Sequence, residues 1–264
     1  MVRRKIKCPE CAKRKFWKTT DGRLKCRCCR KIFTAKDNPC GVPSGLLKQI
    51  ISEFILEHST DTILSRVNVS KYKLLKTLTL LRIAMTKDVS DVFEGIVEVD
   101  ETYVGGQWKN KRLKIKLKSA KSKRGRGTSK QPIFGILCRG GKVWAEVISG
   151  VEAKDLHPLI EKQVKKGSII CSDDWRAYTG IAAKGYVHRL VKHGKNEYSD
   201  KKGNHINGLE GFWGYLKRKL KAKGGIRRKK LPLYLGEYVW RFNHRKLSFK
   251  EQEKSLLSTL FKHF

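Results

Sequence analysis

Apolar and polar positions follow two different periods along this chain, and the switches between them divide it. Residues 1–36 show only short alternating stretches, Lys15-Phe16-Trp17-Lys18 and Arg23-Leu24-Lys25, on either side of the turn signal Asp21-Gly22. That pattern predicts small β-hairpins. Residues 37–43, DNPCGVP, read as a linker. From residue 44 the spacing becomes helical, with Leu46, Leu47, Ile50, Ile51, Phe54 and Ile55 on one face. A short helix within Thr62–Val67 follows, then a turn around Asn68-Val69-Ser70. A longer basic helix runs from Lys71 to Met85, with Ser70 placed to cap it.

Strands and helices alternate beyond residue 92. Ile96-Val97-Glu98-Val99-Asp100 is a β-branched run ending on a carboxylate, and Pro132–Cys138 and Lys142–Ser149 are two more strands around a turn at Arg139-Gly140-Gly141. Asp155–Lys165 has helical periodicity through Leu156, Leu159, Ile160 and Val164. Ser168–Ser172 reads as a short buried strand, Trp175–Ala183 as a helix and Tyr186–Val191 as a strand. Residues 205–222 and Leu231–Asn243 form two further amphipathic helices. Three strands, then helix, strand, helix, strand and helix, predict an α/β (α+β) domain with one mixed sheet packed by helices.

Charge narrows the function. Sixty Lys and Arg stand against 24 Asp and Glu, a formal net charge of +36 over 264 residues. An ordinary small-molecule enzyme has no use for such an excess, which repels itself and attracts polyanions. Two segments concentrate it. Eleven Lys and Arg lie between Lys109 and Lys130, and no acidic residue occurs between Glu101 and Glu146. Nine more lie between Lys217 and Lys230, around Gly224-Gly225. Candidate phosphate contacts are therefore Lys109, Lys111, Arg112, Lys114, Lys121, Lys123, Arg124 and Arg126 in the first segment, and Arg218, Lys219, Arg227 and Arg228 in the second. A merely solvated charged surface is the alternative. No run of about 18 apolar residues offers a membrane span. The basic N-terminus lacks the apolar stretch of a secretory signal. The helical segment 44–90 resembles a helix-turn-helix, although a plain helical hairpin would give the same pattern.

Eight cysteines are present, five of them within residues 8–29. Cys8, Cys11, Cys26 and Cys29 pair as C-x2-C…C-x2-C, the spacing of a zinc ribbon holding one tetrahedral Zn2+. So few residues bury little core, so the metal would supply folding free energy. Cys28 is left out of the set. Cys138 and Cys171 lie in strand runs and read as packing residues.

Three carboxylates stand out by position. Asp100 and Asp173 each follow a hydrophobic strand run, and Glu210 lies in a helix. Acids clustered at such places suit two-metal phosphoryl transfer, in which two ions sit about 4 Å apart, and Mg2+ takes oxygen ligands. Lys217 follows Glu210 by just under two helical turns and so shares its face. Between them Trp213 can stack on a base or pack. Asp174 beside Asp173 is a lesser candidate. So are Asn207, three residues before Glu210, and His205.

The stretches EGIVEVDETYVGG (94–106), GSIICSDDWRAY (167–178), NHINGLEGFWGYLKR (204–218) and EYVWRFNHR (237–245), taken with the cysteine knuckles, carry a resemblance. The chain resembles the DDE transposases of insertion sequences, in the ISXO2-like group with an N-terminal zinc ribbon and a ribonuclease-H-like catalytic domain. The resemblance implies a triad of Asp100, Asp173 and Glu210 binding two Mg2+ or Mn2+ ions, with Lys217 matching the lysine after the last acid. It implies cleavage at the element's ends by metal-activated water, then attack of the freed 3′-OH on target DNA. The DNA partners implied are terminal inverted repeats and target. Assembly on paired ends, hence a homodimer or larger, and a cytoplasmic, nucleoid-associated place are implied as well. The expected division is 1–43 zinc ribbon and linker, 44–90 helical DNA-binding segment, 91–248 catalytic domain and 249–264 C-terminal helix or tail. Two other readings share much of this pattern: a non-catalytic zinc-ribbon and helix-turn-helix regulator, and a ribonuclease-H-like nuclease without strand transfer. Arg241, Asn243 and Arg245 match the resemblance's terminal helix and read as structural or DNA-facing.

Overall fold

The structure is a computed structural model that describes residues 6–20, 23–33, 38–88, 92–106, 113, 130–191 and 206–264. The chain divides into two compact units, residues 1–81 with 249–264, and residues 82–248.

The first unit begins with a three-stranded antiparallel sheet of β1 (Phe16–Lys18), β2 (Leu24–Cys26) and β3 (Ile32–Phe33), in the order β1-β2-β3. Phe16 and Phe33 meet edge to face beneath it, with ring centroids 5.3 Å apart. Three helices follow, α1 (Ser44–Ile55), α2 (Thr60–Arg66) and α3 (Lys71–Lys87). Ser59 Oγ accepts the Thr62 N–H at 3.1 Å and Ser70 Oγ accepts the Lys73 N–H at 3.4 Å, so both later helices open on a serine that takes up a first-turn donor. Leu47, Ile50, Ile51, Phe54, Ile63, Leu74, Leu78 and Leu81 are buried among these helices. The last helix of the chain, α7 (Phe249–His263), returns to α1, where Ser52 Oγ donates to the Glu253 carboxylate. The C-terminal helix therefore belongs with the N-terminal unit.

The second unit is built on one five-stranded mixed sheet. Its strands are β4 (Ile96–Val104), β5 (Gln131–Cys138), β6 (Val143–Val147), β7 (Ile169–Ser172) and β8 (Val187–Leu190), in the order β6-β5-β4-β7-β8. β6, β5 and β4 run antiparallel to their neighbours, while β7 and β8 run parallel to β4. Among the described residues the sheet is flanked by the helices α4 (Ala153–Gln163), α5 (Asn207–Ala222) and α6 (Leu231–Asn243). This is the mixed sheet flanked by helices that the sequence led us to expect.

Side chains alternate across a strand, so β4 and β5 feed two cores. Val97, Val99, Phe134 and Ile136 join Leu156 and Ile160 of α4 and the buried Tyr178 and Ile181. Ile133 and Leu137 join Leu209, Phe212, Trp213, Leu216 and Leu220 of α5 and Leu231, Leu235 and Tyr238 of α6. At the sheet's margin the side-chain amide of Asn243 pairs with the backbone of Val143: the Val143 N–H donates to Oδ1 at 2.8 Å, and Nδ2 donates to the Val143 carbonyl at 2.9 Å. Arg241 and Arg82 both donate to the buried Glu237 carboxylate, at 3.0 and 2.7 Å. These contacts give Arg241 and Asn243 of α6 structural work.

Two boundaries differ from the sequence reading. Asp100 does not end its strand. Thr102, Tyr103 and Val104 are themselves β-formers and pair on with Ile133, Pro132 and Gln131, so Asp100 lies mid-strand opposite Gly135. The segment expected to be one helix over 175–183 is instead two 3-10 turns, Arg176–Tyr178 and Ala182–Lys184. Gly180 between them takes a left-handed φ of +84°, which ends any continuous helix.

Candidate active site and metal centre

The four ribbon cysteines converge. Their sulfurs all lie within 4.8 Å of one another, with Cys8 and Cys29 Sγ 3.4 Å apart and Cys11 and Cys26 Sγ 3.5 Å apart. Tetrahedral zinc with bonds of about 2.3 Å places its sulfurs about 3.8 Å apart, so the donor set fits Zn2+. The local backbone explains the convergence. At each knuckle the first cysteine donates its N–H to the carbonyl five residues on, Cys8 to Lys13 and Cys26 to Lys31. In turn its own carbonyl accepts from the residue four on, Ala12 or Arg30. Ala12 and Arg30 both take left-handed φ values, +55° and +61°. The two knuckles thus repeat one geometry, and the repeat selects Cys29 as the fourth ligand, with Cys28 exposed outside the cluster. The Lys13 N–H is the main influence lowering the Cys11 thiol below its ordinary range.

In the second unit Asp100 faces α5. Trp213 Nε1 donates to Asp100 Oδ2 at 3.0 Å. The indole is buried and lies where a side chain at Gly135 would have to be, for a Cβ there would stand 2.6 Å from its ring carbons. Glycine in this strand therefore marks close approach by a neighbour, and Trp213 packs instead of offering its face to a base. Burial, and then the negative charges of Glu101 and Asp173, push the Asp100 carboxyl up to about 7, against the pull of the Trp213 N–H.

Asp173 follows the last residue of β7. Its Oδ1 accepts the Trp175 N–H at 3.1 Å, and Ser172 before it is hydrogen-bonded to His188 Nε2 at 2.9 Å. Its charge bears on Asp100, whereas Asp174 is exposed. Desolvation lowers the Lys217 ammonium, partly opposed by Asp100 and reinforced by Lys130. The fold thus brings together Asp100, Asp173 and Lys217. Glu210 lies in the first turn of α5, exposed. Among the described residues the three acids are not gathered as closely as the four cysteines are. Asn207 is the first residue of α5, after Ile206 at the N-cap, and is exposed.

Arg218, Arg227 and Arg228 are exposed at or beyond the end of α5, and Lys219 Nζ lies 5.9 Å from the Tyr215 ring centroid. Lys109, Lys111, Arg112, Lys114, Lys121, Lys123, Arg124 and Arg126 lie outside the described residues, as does His205. Among the described residues no helix is long and apolar enough to cross a membrane.

Three residues near the acids were not singled out from sequence. Glu98 is fully buried on β4; its Oε1 accepts Arg139 Nε at 3.2 Å and its Oε2 accepts the Leu209 N–H at 2.9 Å. Glu101 accepts the Tyr178 hydroxyl at 2.6 Å. Gly135 makes room for Trp213. Strand parity could have found Glu98, which stands two residues before Asp100 and therefore on the same face.

The sheet carries Asp100 on β4 and Asp173 just beyond the adjacent parallel strand β7, with the basic helix α5 packed across one face. Residues 92–243 match the family model of the ISXO2-like transposase domain, and the chain belongs to that family. Over 121 residues it is 32% identical to an uncharacterized transposase-like protein of Haemophilus influenzae, covering 46% of this chain and 94% of the relative. Among solved structures it is similar to the catalytic core domain of BIV integrase, at 15% identity and a TM-score of 0.36, covering 64% of this chain and 99% of that one. The Mos1 transposase in a paired-end complex with the left transposon end is similar at 9% identity and a TM-score of 0.26, covering 79% and 78%.

Proposed function

We propose that this transposase-family chain cuts DNA at the ends of its element and joins the freed 3′-OH to target DNA, using divalent metal held by Asp100, Asp173 and Glu210. The observation that carries the reading is the juxtaposition of Asp100, Asp173 and Lys217 in a chain of net charge +36. A carboxyl held near neutral pH by burial and by the charges of Glu101 and Asp173 is a poor structural acid and a good cation ligand. Carboxylate oxygens suit Mg2+ or Mn2+.

Two such ions supply an activated water and stabilise the leaving oxygen. Asp100 on β4 and Asp173 just after β7 would hold them, with Glu210 at the start of α5. Trp213 keeps the Asp100 carboxylate turned toward α5. Lys217 is placed to meet a phosphate oxygen beside the acids. The exposed cations from Arg218 to Lys230 would run along the DNA backbone. Cys8, Cys11, Cys26 and Cys29 would hold one zinc, which contributes folding free energy to the ribbon. The ribbon and α2–α3, as a helix-turn-helix within 44–90, would bind the terminal inverted repeats. Two or more copies would assemble on paired ends, in the cytoplasm at the nucleoid.

The test is an assay on element-end DNA with Mg2+ or Mn2+. The parent cleaves and yields joined products, while Asp100→Ala and Glu210→Gln lose both by at least about a hundredfold, as expected when a metal-site group is removed. Variants that cleave like the parent would refute the triad. Cleavage without joined products would reduce the activity to that of a nuclease, and a parent inert with metal would leave a DNA-binding regulator.

A further inference from the structure

Three acids stand within four residues of β4, at Glu98, Asp100 and Glu101, and the proposed chemistry uses only the middle one. The outer two are the more deeply buried: Glu98 is 0% exposed and Glu101 9%. A buried carboxylate is costly unless donors surround it, and each of these two takes one donor from a segment that carries another of the acids.

Glu98 shares Asp100's face of the strand. Its Oε2 accepts the N–H of Leu209, the residue immediately before Glu210, at 2.9 Å. The start of a helix favours a negative charge, and Arg139 completes the set at Oε1. Gly208 leaves room for this approach, since a Cβ there would sit 3.0 Å from Glu98 Oε2. Glu101 points to the opposite face. Its Oε2 accepts the hydroxyl of the fully buried Tyr178 at 2.6 Å. Tyr178 closes the turn that Asp173 opens. Within that turn Asp173 accepts the Trp175 N–H, and Trp175 Nε1 donates to the Val151 carbonyl at 3.3 Å.

We infer that Glu98 and Glu101 are positioning residues, each fastening to β4 one of the two other acid-bearing segments: Glu98 the first turn of α5 with Glu210, and Glu101 the turn after β7 with Asp173. The inference rests on the reading of Asp100, Asp173 and Glu210 as a divalent-metal site. Strand alternation makes the arrangement possible, because one hexapeptide, Val97–Thr102, aims a ligand and a strut at one face and a second strut at the other.

The test is Mn2+ binding to the full-length, zinc-loaded chain, followed by the EPR signal of free Mn2+ and separately from DNA cleavage. The parent binds Mn2+ at a site abolished by Asp100→Ala. Glu98→Ala and Tyr178→Phe each weaken that binding about tenfold, the usual scale for partners that orient metal ligands. Glu101→Gln, which keeps an acceptor for the Tyr178 hydroxyl, loses less than Tyr178→Phe. Tyr186→Phe is the control. It deletes a buried hydroxyl of the same kind, bonded to the Val164 carbonyl, and lowers the melting temperature without moving Mn2+ affinity. If Glu98→Ala does not fold, Glu98→Gln replaces it. It leaves an acceptor for one donor and sets an amide N–H against the other. Folded Glu98 and Tyr178 variants with parental Mn2+ affinity overturn the proposal. A parent that binds Mn2+ and neither cuts nor joins DNA overturns the function alone. A parent without an Asp100-dependent Mn2+ site overturns both.

Discussion

Replacing Asp100 by Asn should make the metal-free protein more stable, and more so at alkaline than at acid pH. The carboxyl titrates near 7 in the folded chain against an ordinary 3.8. Between those values the folded state holds a proton that the unfolded state has released, so stability falls as pH rises from about 4 to 7 and then levels. At about 1.36 kcal/mol per pH unit the full displacement corresponds to about 4 kcal/mol. Asp100 keeps partial access to solvent, which reduces this to about 2 kcal/mol at pH 8 and about 1 kcal/mol at pH 5. Asn keeps an oxygen to accept the Trp213 N–H. For a unit of this size about 2 kcal/mol raises the midpoint by about 4–8 °C. Thermal melts followed by tryptophan fluorescence suit the purpose, since five of the six tryptophans lie within residues 82–248. The buffer must contain neither Mg2+ nor a chelator, so that zinc stays in the ribbon. Adding Mn2+ should raise the parent and not the variant, closing the gap. A variant that melts at or below the parent at pH 8, or whose advantage is larger at pH 5, would refute the account of Asp100 as a carboxylate strained by burial and like charge.

Three further outcomes are expected. Cys29→Ser should lose the zinc that Cys28→Ser retains near one equivalent per chain, as measured by atomic absorption, because only Cys29 completes the second knuckle. Gly135→Ala should cost about 1–3 kcal/mol in denaturant melts, the usual range for overpacking a core, and shift tryptophan emission as the indole is displaced from Asp100. Arg227→Ala and Arg228→Ala should each weaken DNA binding regardless of sequence. In salt titrations each should lower the slope of log K against log salt by about 0.9; an unchanged slope would remove these residues from the DNA surface.

The ribbon was legible because ligand spacing is local: C-x2-C twice within 22 residues leaves few arrangements for four thiolates. Helical spacing and the Ser70 cap likewise marked α2 and α3 within a few residues. The order of strands and helices in the second unit was legible for the same reason. The helix expected over 175–183 failed because Trp175, Tyr178 and Ile181 recur every third residue, a spacing that 3-10 turns share with an α-helix. Gly180 was the signal that should have counted against it. Contacts between distant residues were out of reach. Trp213 and Asp100 are 113 positions apart, and nothing in either neighbourhood names the other. Glu98 and Glu101 looked like spare acids in a motif until the pleat assigned each a face.

The asparagine at the end of α6 also guards part of the sheet's outer margin. Its amide occupies both backbone groups of Val143 at the outer margin of β6, and α6 lies against the same strand. A sheet with two free margins can add copies without end. One side-chain amide thereby withdraws both backbone groups of Val143 from pairing with any further strand.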